Sequence, residues 1–182
     1  MRSHEATAPA EVVSTRSARR LKRDRFEGLL RAHESRLRRL CHGMLTDRAR
    51  VDDVLQEAFI KAFRKLPPAF DSPGQEAAWL YRIVYRCCLD ELRHARRHRV
   101  TGLVHEPVDD AMERARSSLS ITRALQELTP EARAAVLLVD LVGFDYRTAA
   151  AALGVPEGTV ASRLSNGRAR LHELLGEERR DQ

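Results

Sequence analysis

The sequence predicts an all-α protein made of two small helical domains joined by a flexible linker. Apolar residues make up 43% of the 182 residues but aromatic residues only 5%, and this Leu-, Ala- and Val-rich composition favours packed helices over sheets. In several stretches the apolar residues recur every three or four positions, which is the period of an amphipathic helix. Around residues 100–118 that period stops and Gly, Pro and acidic residues replace it, as is typical of a linker.

Five segments follow from these changes along the chain. Residues 1–23 contain a basic run and no sustained apolar period, so we predict a flexible basic N-terminal arm. The first domain is predicted at residues 24–99 and the linker at residues 100–118. The second domain is predicted at residues 119–176, and residues 177–182 form a C-terminal tail.

Three helices are predicted in the first domain. The first covers about residues 26–45. The second, at residues 51–66, has the most regular apolar repeat, and Pro67 and Pro68 end it because proline cannot continue a helix. After a loop rich in Pro and Gly, the third covers about residues 76–97. It combines a buried apolar face with a start and an opposite face crowded with aromatic and basic side chains, including Tyr81.

The second domain ends in a predicted helix-turn-helix. Thr129 followed by proline predicts an N-cap and first turn for a helix that runs to about residue 141. Asp145 is predicted to be the N-cap of the next helix, and Gly154 its left-handed C-cap. Pro156 then opens the last helix. Such a pair of helices is typical of DNA-binding proteins, although ordinary helical bundles also contain it.

The charge is unevenly distributed between the two halves. The net charge is +6, and residues 24–99 hold 16 basic and 11 acidic side chains whereas residues 119–182 hold 8 and 9. If the protein binds DNA, the first half therefore supplies much of the electrostatic attraction. We accordingly expect the helix-turn-helix to bind DNA weakly by itself.

The three cysteines are predicted to be small buried residues. Cys41, Cys87 and Cys88 have no CxxC spacing and lie on or beside apolar helical stripes. No metal site and no cofactor are predicted. No apolar run approaches the length of a membrane span and the polar start lacks a signal-peptide core, so we expect a cytoplasmic chain with no membrane insertion of its own.

Three stretches in order resemble one bacterial family. They are VDDVLQEAFIKAFRKL at residues 51–66, AAWLYRIVYRCCLDELRHARRHR at residues 77–99, and LTPEARAAVLLVDLVGFDYRTAAAALGVPEGTVASRLSNGRARL at residues 128–171. Together they resemble an extracytoplasmic-function (ECF, group IV) sigma factor of the sigma-70 family, over about residues 24–175. The resemblance implies a region 2 domain and a region 4 domain with a flexible linker between them.

The resemblance also implies partners and binding residues. The partners are core RNA polymerase, through the clamp of its beta-prime subunit and its beta flap, and promoter DNA. The implied polymerase-docking residues are Asp53, Gln56, Glu57 and Lys61. The implied minus-10 residues are Trp79, Arg82, Tyr85, Arg86, Asp90, Arg93, Arg96 and Arg97. The implied minus-35 residues are Thr159, Ser162, Arg163, Ser165, Asn166 and Arg168, of which we expect Arg163 and Arg168 to matter most.

The chemistry of the third helix fits that role. Aromatic rings stack on unpaired bases while guanidinium groups bind phosphates. Taken alone, the same residues are equally compatible with Trp79 and Tyr81 at a helix-packing seam beside a solvated arginine face.

Four positions depart from the family pattern. Ala161 and Asn166 stand where relatives often have basic residues, which lowers the expected affinity for DNA phosphates. Arg86 replaces a common Asn, and Glu76 stands where an apolar or aromatic residue often precedes the Trp-Leu pair. The promoter sequence therefore cannot be copied from a relative.

Other functions compete with promoter-specific initiation. A sigma-like decoy would bind an anti-sigma factor without engaging DNA, but this chain retains Trp79, Arg82, Arg93, Arg163 and Arg168. A conventional helix-turn-helix regulator would not need the docking face and would usually need a dimerisation element. No Gly-rich phosphate loop, metal cluster or nucleophile motif supports an enzyme. The family also implies an anti-sigma factor as a regulatory partner.

Overall fold

A computed structural model describes residues 10–100 and 121–178, with side chains for residues 17–97 and 121–176. The first half of the molecule, residues 10–100, consists of α1 (Ala10–Met44), α2 (Arg50–Lys65) and α3 (Pro73–Val100). No strand occurs in either described range, so the predicted all-α class is confirmed. The predicted linker at residues 100–118 lies, apart from its first residue, outside the described residues, as does the tail beyond residue 178.

The second half, residues 121–178, contains four helices. They are α4 (the described residues 121–126), α5 (Pro130–Val136), α6 (Tyr146–Leu153) and α7 (Glu157–Glu178). A π-helical turn at Leu137–Leu141 continues α5, so the helix predicted to reach residue 141 is present with a wider last turn. No helix within the described ranges is long and apolar enough to cross a membrane.

The core of the first half is the apolar stripe shared by α1, α2 and α3. Leu37 and Leu40 on α1, Ala58 on α2, and Leu80 and Val84 on α3 are fully buried. All three cysteines are buried, as predicted. The Sγ atoms of Cys41 and Cys88 lie 3.6 Å apart where α1 meets α3, and the pKa of Cys88 is raised well above its ordinary value by this contact and by burial. These thiols fill space in the core.

The predicted flexible arm is wrong for residues 10–23, because they continue α1. No Gly or Pro interrupts the chain between Ala10 and Phe26, so nothing in the sequence ends the helix there. Lys22 in this segment donates from Nζ to the Arg64 carbonyl at 3.4 Å, and Arg25, just beyond it, donates to the carbonyls of Pro67 and Pro68 at 3.0 and 2.6 Å. The N-terminal half of α1 thus contacts the end of α2 and the loop that follows it.

The two halves pack against each other. The most extensive contact joins α3 to α6, and α1 contacts both α5 and the π-helical turn. Tyr81 of α3 is fully buried, and its ring centroid lies 4.7 Å from that of Phe144, just before α6, in an edge-on arrangement. Burial raises the pKa of Tyr81 to about 12. The sequence alone gives no sign of this contact between the halves.

Candidate polymerase and nucleic-acid interfaces

The predicted docking residues share the exposed face of α2. Asp53, Gln56 and Glu57 are exposed and Lys61 is half-buried. Asp53 pairs with Arg50 at 2.7 Å, and Lys61 pairs with Glu57 at 2.7 Å, which raises the pKa of Lys61. These pairs lie at i,i+3 and i,i+4 spacing, where they support the helix only weakly. The charges can therefore be exchanged for a partner's at small cost.

An apolar groove lies beside this polar face, between α1 and α2. Its volume is about 580 Å³. Its main lining residues are Phe26, Leu55, Gln56, Phe59, Ile60 and Phe63. Ile60 is 46% exposed and Phe63 37% exposed, although Phe63 belongs to the apolar repeat of α2, which predicts a buried side chain. A groove of this kind suits the apolar face of a partner helix.

Sequence reasoning missed the groove for a specific reason. Ile60 falls outside the apolar stripe of α2, between Phe59 and the polar Lys61. A large aliphatic side chain on the otherwise polar face of a helix is the signal that could have revealed it. The polar docking residues and this groove together form what we call the docking face.

The predicted minus-10 residues are spread over two sides of α3. Arg86, Asp90, Arg93, Arg96 and Arg97 are exposed, and Arg93 pairs with Asp90 at 2.8 Å. Toward the start of the helix, Trp79 and Arg82 are half-buried and Tyr85 is buried. The sequence-predicted set therefore does not form one open surface in this arrangement.

Trp79 packs on the loop that precedes α3. Its ring centroid lies 5.3 Å from that of Phe70, and the Arg25 guanidinium lies 6.0 Å from the centroid of the Phe70 ring. Ser72 Oγ accepts from the Gln75 amide at 3.2 Å, and Asp71 exchanges hydrogen bonds with Gln75. The loop is thus held in shape at both ends, next to the helix that carries the aromatic and basic residues.

Burial at a packing seam, the alternative that the sequence left open for Trp79 and Tyr81, describes Tyr81 fully and Trp79 in part, since Tyr81 is fully buried and Trp79 half-buried. Tyr85 is buried as well. Tyr85 is 6% exposed, and burial raises its pKa, with Glu131 adding to the shift and Arg163 opposing it. Glu131 and Arg163 belong to the second half and line one cleft together with Tyr85, so the second half lies beside this ring. Sequence periodicity could not reveal this, since both sides of α3 carry apolar or aromatic residues.

Arg82 lies directly against the turn of the helix-turn-helix. A Cβ atom added at Gly154 would stand 2.9 Å from a terminal nitrogen of the Arg82 guanidinium. Gly154 has φ +72° and forms the left-handed C-cap of α6, so the backbone favours glycine here, and the Arg82 guanidinium packs closely on it. One predicted minus-10 residue is therefore packed on the DNA-binding motif of the other half.

A cleft of about 430 Å³ opens beside this contact. Its polar lining includes Arg86 and Arg93 from α3 and Glu131 and Arg163 from the second half. Arg163, one of the two arginines expected to dominate minus-35 binding, thus faces α3 across the cleft. Both halves direct part of their predicted DNA-binding surface toward each other.

The helix-turn-helix itself forms as predicted. Asp145 accepts from the Thr148 amide at 2.7 Å as the N-cap of α6, and this bond lowers the pKa of Asp145. Thr129 caps α5 through the Ala132 amide at 3.3 Å. The last helix, α7, packs on α5 and α6 through Val160 and other buried side chains. The capped helices α5 and α6 form the support on which α7 packs.

The predicted minus-35 residues occupy different environments on α7. Ser162, Ser165 and Asn166 are exposed, while Thr159 is half-buried. Arg168 is exposed but forms a two-pronged pair with Asp140, at 3.1 and 2.5 Å. The carboxylate raises the pKa of Arg168 and competes with any phosphate for the same guanidinium fork.

No group of three or more His, Cys, Asp or Glu side chains within residues 10–100 and 121–178 is placed to hold a metal ion. The predicted contact surfaces present guanidinium groups, hydroxyls, an amide, an apolar groove and paired charges.

Comparison with known families agrees with this arrangement. The family model described as Sigma-70 region 2 matches residues 29–98, and the one described as Sigma-70, region 4 matches residues 118–171. The chain is 41% identical over 154 residues to the ECF RNA polymerase sigma factor SigM of Mycobacterium tuberculosis, covering 83% of this chain and 77% of that protein.

Two solved structures share the fold. The sigma factor RpoE of Bartonella quintana, solved in complex with the anti-sigma factor NepR, matches with a TM-score of 0.71 and 27% identity, over 83% of this chain and 96% of that one. CnrH, solved in complex with the cytosolic domain of CnrY, matches with a TM-score of 0.64 and 27% identity, over 84% and 88% of the two chains.

Proposed function

Because the chain belongs to the ECF sigma factors of the sigma-70 family, we propose that it binds core RNA polymerase and directs promoter-specific transcription initiation. The observation that carries the proposal is the pairing of one region 2 unit and one region 4 unit, in that order, on an all-helical fold. The chain is then a dissociable binding subunit and makes or breaks no covalent bond itself.

The docking face is the proposed contact with the polymerase clamp. Gln56 joins its polar and apolar parts, since it is exposed on α2 and also lines the groove. Burying Ile60 and Phe63 against a partner helix supplies affinity through the hydrophobic effect. The acidic Asp53 and Glu57 attract a basic partner and fix its orientation on the face.

The loop after α2 and the exposed side of α3 are the proposed minus-10 reader. Arg86, Arg93, Arg96 and Arg97 hold the phosphates of the non-template strand, and Trp79 lies at the loop where an unpaired base can be captured. DNA melts because this surface binds the open strand better than the duplex. The mechanism is a shift of an equilibrium by differential affinity.

Helix α7 is the proposed minus-35 reader, placed in the major groove. Ser162, Ser165 and Asn166 present short polar groups to base edges, and Arg163 and Arg168 supply charge. Because Arg168 is paired with Asp140 and Ala161 adds no charge, we expect weak binding by this half alone. The beta flap is the second proposed polymerase contact.

We also propose an anti-sigma factor as a partner. RpoE of Bartonella quintana was solved with the anti-sigma factor NepR and CnrH with the cytosolic domain of CnrY, and each similarity spans both halves of this chain. A partner that holds the two halves together would keep the inward-facing residues Tyr85, Arg82 and Arg163 away from DNA.

One experiment separates the proposed function from its alternatives. Purified chain is added to sigma-free core polymerase, core binding is measured by co-elution, and transcript starts on genomic DNA are mapped. We expect a stable complex and starts clustered downstream of a shared pair of elements. A folded chain that binds core but yields no starts would favour the decoy, and one that binds duplex DNA without core would favour a conventional regulator. Absence of core binding and of starts contradicts the proposal.

A further inference from the structure

We infer that the N-terminal part of α1 and the end of α2 form a further contact with DNA, in which exposed basic side chains hold the backbone of the promoter strand beside the loop after α2. We call this surface the basic end, and it consists of the exposed residues Arg19, Arg20, Arg23, Arg64 and Lys65. The region 2 family model begins at residue 29, so the family assigns no role to the α1 part. The inference rests on the proposed function, which supplies the promoter.

The α1 part of the basic end carries positive charge that its own helix does not need. Residues 17–25 hold five basic side chains and one acidic side chain, Asp24. Among the residues described with side chains, no hydrogen bond or ion pair involves the three α1 arginines, whereas Arg31 on the same helix is paired with Glu27 at 3.2 Å. Like charges four residues apart, as at Arg19 and Arg23, destabilise a helix. A partner of opposite charge would remove this cost.

The basic end lies directly beside the loop that is proposed to capture an unpaired base. Lys22 Nζ donates to the Arg64 carbonyl at 3.4 Å, which joins α1 to the last turn of α2. The Arg25 guanidinium lies 6.0 Å from the centroid of the Phe70 ring, and Phe70 packs on Trp79 with 5.3 Å between the ring centroids. The phosphates next to a base held at this loop therefore lie beside the basic end.

The basic end and the exposed arginines of α3 lie on opposite sides of this loop. Helices α1 and α3 run in the same direction, because His33 contacts Tyr81 and, further along both helices, Cys41 contacts Cys88. The exposed arginines of α3 lie toward the C-terminal ends of the two helices, whereas the basic end lies beyond Arg25 toward the N-terminal end of α1. A strand that crosses the loop therefore meets basic side chains on both sides of the held base.

The chemistry of the basic end suits phosphate and not base edges. Guanidinium and ammonium groups on an exposed helix bind phosphate oxygens, and such contacts position a nucleic acid without reading its sequence. An acidic protein surface is the other class of partner that would match this charge. Continuity with the loop and with the arginines of α3 favours DNA. The basic end then adds affinity and directs the path of the strand, while other residues supply specificity.

The test removes charge from the α1 part alone. One full-length variant combines Arg19→Gln, Arg20→Gln and Arg23→Gln, and a control variant loses the same charge at three exposed arginines away from the loop: Arg31→Gln, Arg48→Gln and Arg123→Gln. Each is assembled with core polymerase and titrated, at several salt concentrations, against a labelled promoter fragment with a preformed bubble. We expect the first variant to bind about tenfold more weakly, with the slope of log affinity against log salt reduced by about 2. The control should match the unmodified chain.

The pattern of losses decides between the two classes of partner. A phosphate contact weakens binding equally on promoters of different sequence, so a loss confined to one promoter overturns the backbone contact. Promoter affinities that equal those of the control overturn the inference outright. A loss of affinity for core polymerase, titrated without DNA, together with unchanged promoter binding by the saturated holoenzyme would assign the basic end to an acidic surface of polymerase and overturn the DNA contact.

A second measurement does not depend on polymerase. The free variants bind a labelled single strand of random sequence, followed by fluorescence anisotropy, with helix content by circular dichroism as the folding check. The α1 variant should bind several-fold more weakly than the control, with the same reduction in salt slope, and equal affinities overturn the inference. Failure of the unmodified chain to bind core or to yield transcript starts would instead count against the proposed function, so the two failures are distinguishable.

Discussion

Two faces of the first half differ in what lies over them. The α2 face is open, with Ile60 46% exposed beside a groove, whereas on α3 Tyr81 is fully buried beneath Phe144 and Tyr85 is 6% exposed. The open face is the proposed polymerase contact, whereas the covered side of α3 holds two of the residues predicted to contact the minus-10 element, Arg82 and Tyr85. We therefore expect polymerase to bind without rearrangement and these two residues to reach DNA only when the second half moves.

The largest expected effect comes from placing a charge on the docking face. Ile60→Glu places a charge in the apolar groove and should weaken core binding at least about thirtyfold, on the order of 2 kcal/mol. Binding is measured by titrating labelled core polymerase. Leu21→Glu is the control, since Leu21 on α1 is 65% exposed and does not line the groove. Equal affinities for the two variants would remove the docking role from this face.

The next prediction tests the contact through which Arg133 holds the second half against α1. Arg133→Met leaves the carbonyls of Met44, Gln126 and Leu128 without their buried donor and should lower the free energy of unfolding by about 2 kcal/mol. Chemical denaturation followed by circular dichroism measures this. Arg123→Met, on the exposed surface of α4, should change little. A similar small effect for both would mean that the buried arginine does not stabilise the packing of the second half on α1.

A third change separates the stability of the second half from its contact with the first. A Cβ atom at Gly167 would lie 2.8 Å from a methyl carbon of Val136, so Gly167→Ala forces α5 and α7 apart and should cost roughly 1 kcal/mol. At Gly158, near the start of the same helix, an added Cβ meets nothing within 4 Å. Gly158→Ala should be neutral or slightly stabilising, and thermal melting that ranks the pair in reverse order contradicts the packing of α7.

The smallest expected effect concerns the side of the second half that stays exposed. Asp140→Asn removes the carboxylate that occupies Arg168 and should tighten binding of the holoenzyme to promoter DNA by about twofold. The gain should shrink as salt is raised, since it comes from phosphate contacts. Glu173→Gln, which frees Arg170 from a similar pair at 3.1 Å, is the matched control. A loss of binding in Asp140→Asn would show that the carboxylate positions Arg168.

Local signals in the sequence predicted local structure well. Asp145, Thr129 and Gly154 cap the helices that they were expected to cap, because capping depends on a side chain and the backbone within three or four residues. The order of the two units and the exposed face of α2 could be predicted for the same reason. Each is expressed in the helical period or in a contiguous motif.

Contacts between the halves could not be predicted in this way. Arg133 and its acceptor at Met44 are 89 positions apart, and an arginine within a short helix looks like a solvated charge when only its neighbours are known. Gly43 likewise has no local reason to be glycine, although an added Cβ atom there would lie 2.7 Å from the terminal carbons of Leu137. In α3, the spacing of apolar and aromatic residues gives two non-polar sides. Only the position of the second half decides which aromatic residues are buried.

The most direct test of the covered side of α3 is hydroxyl-radical footprinting of Tyr81 and Tyr85 in the free chain and in its complex with core polymerase. The account predicts slow oxidation of both rings in the free chain, since both are buried, and faster oxidation of at least Tyr85 once core is bound, because the second half has moved off α3. Trp79, half-buried against the loop, serves as the internal reference. Rings that are already reactive in the free chain, or that stay equally protected on the polymerase, would contradict it.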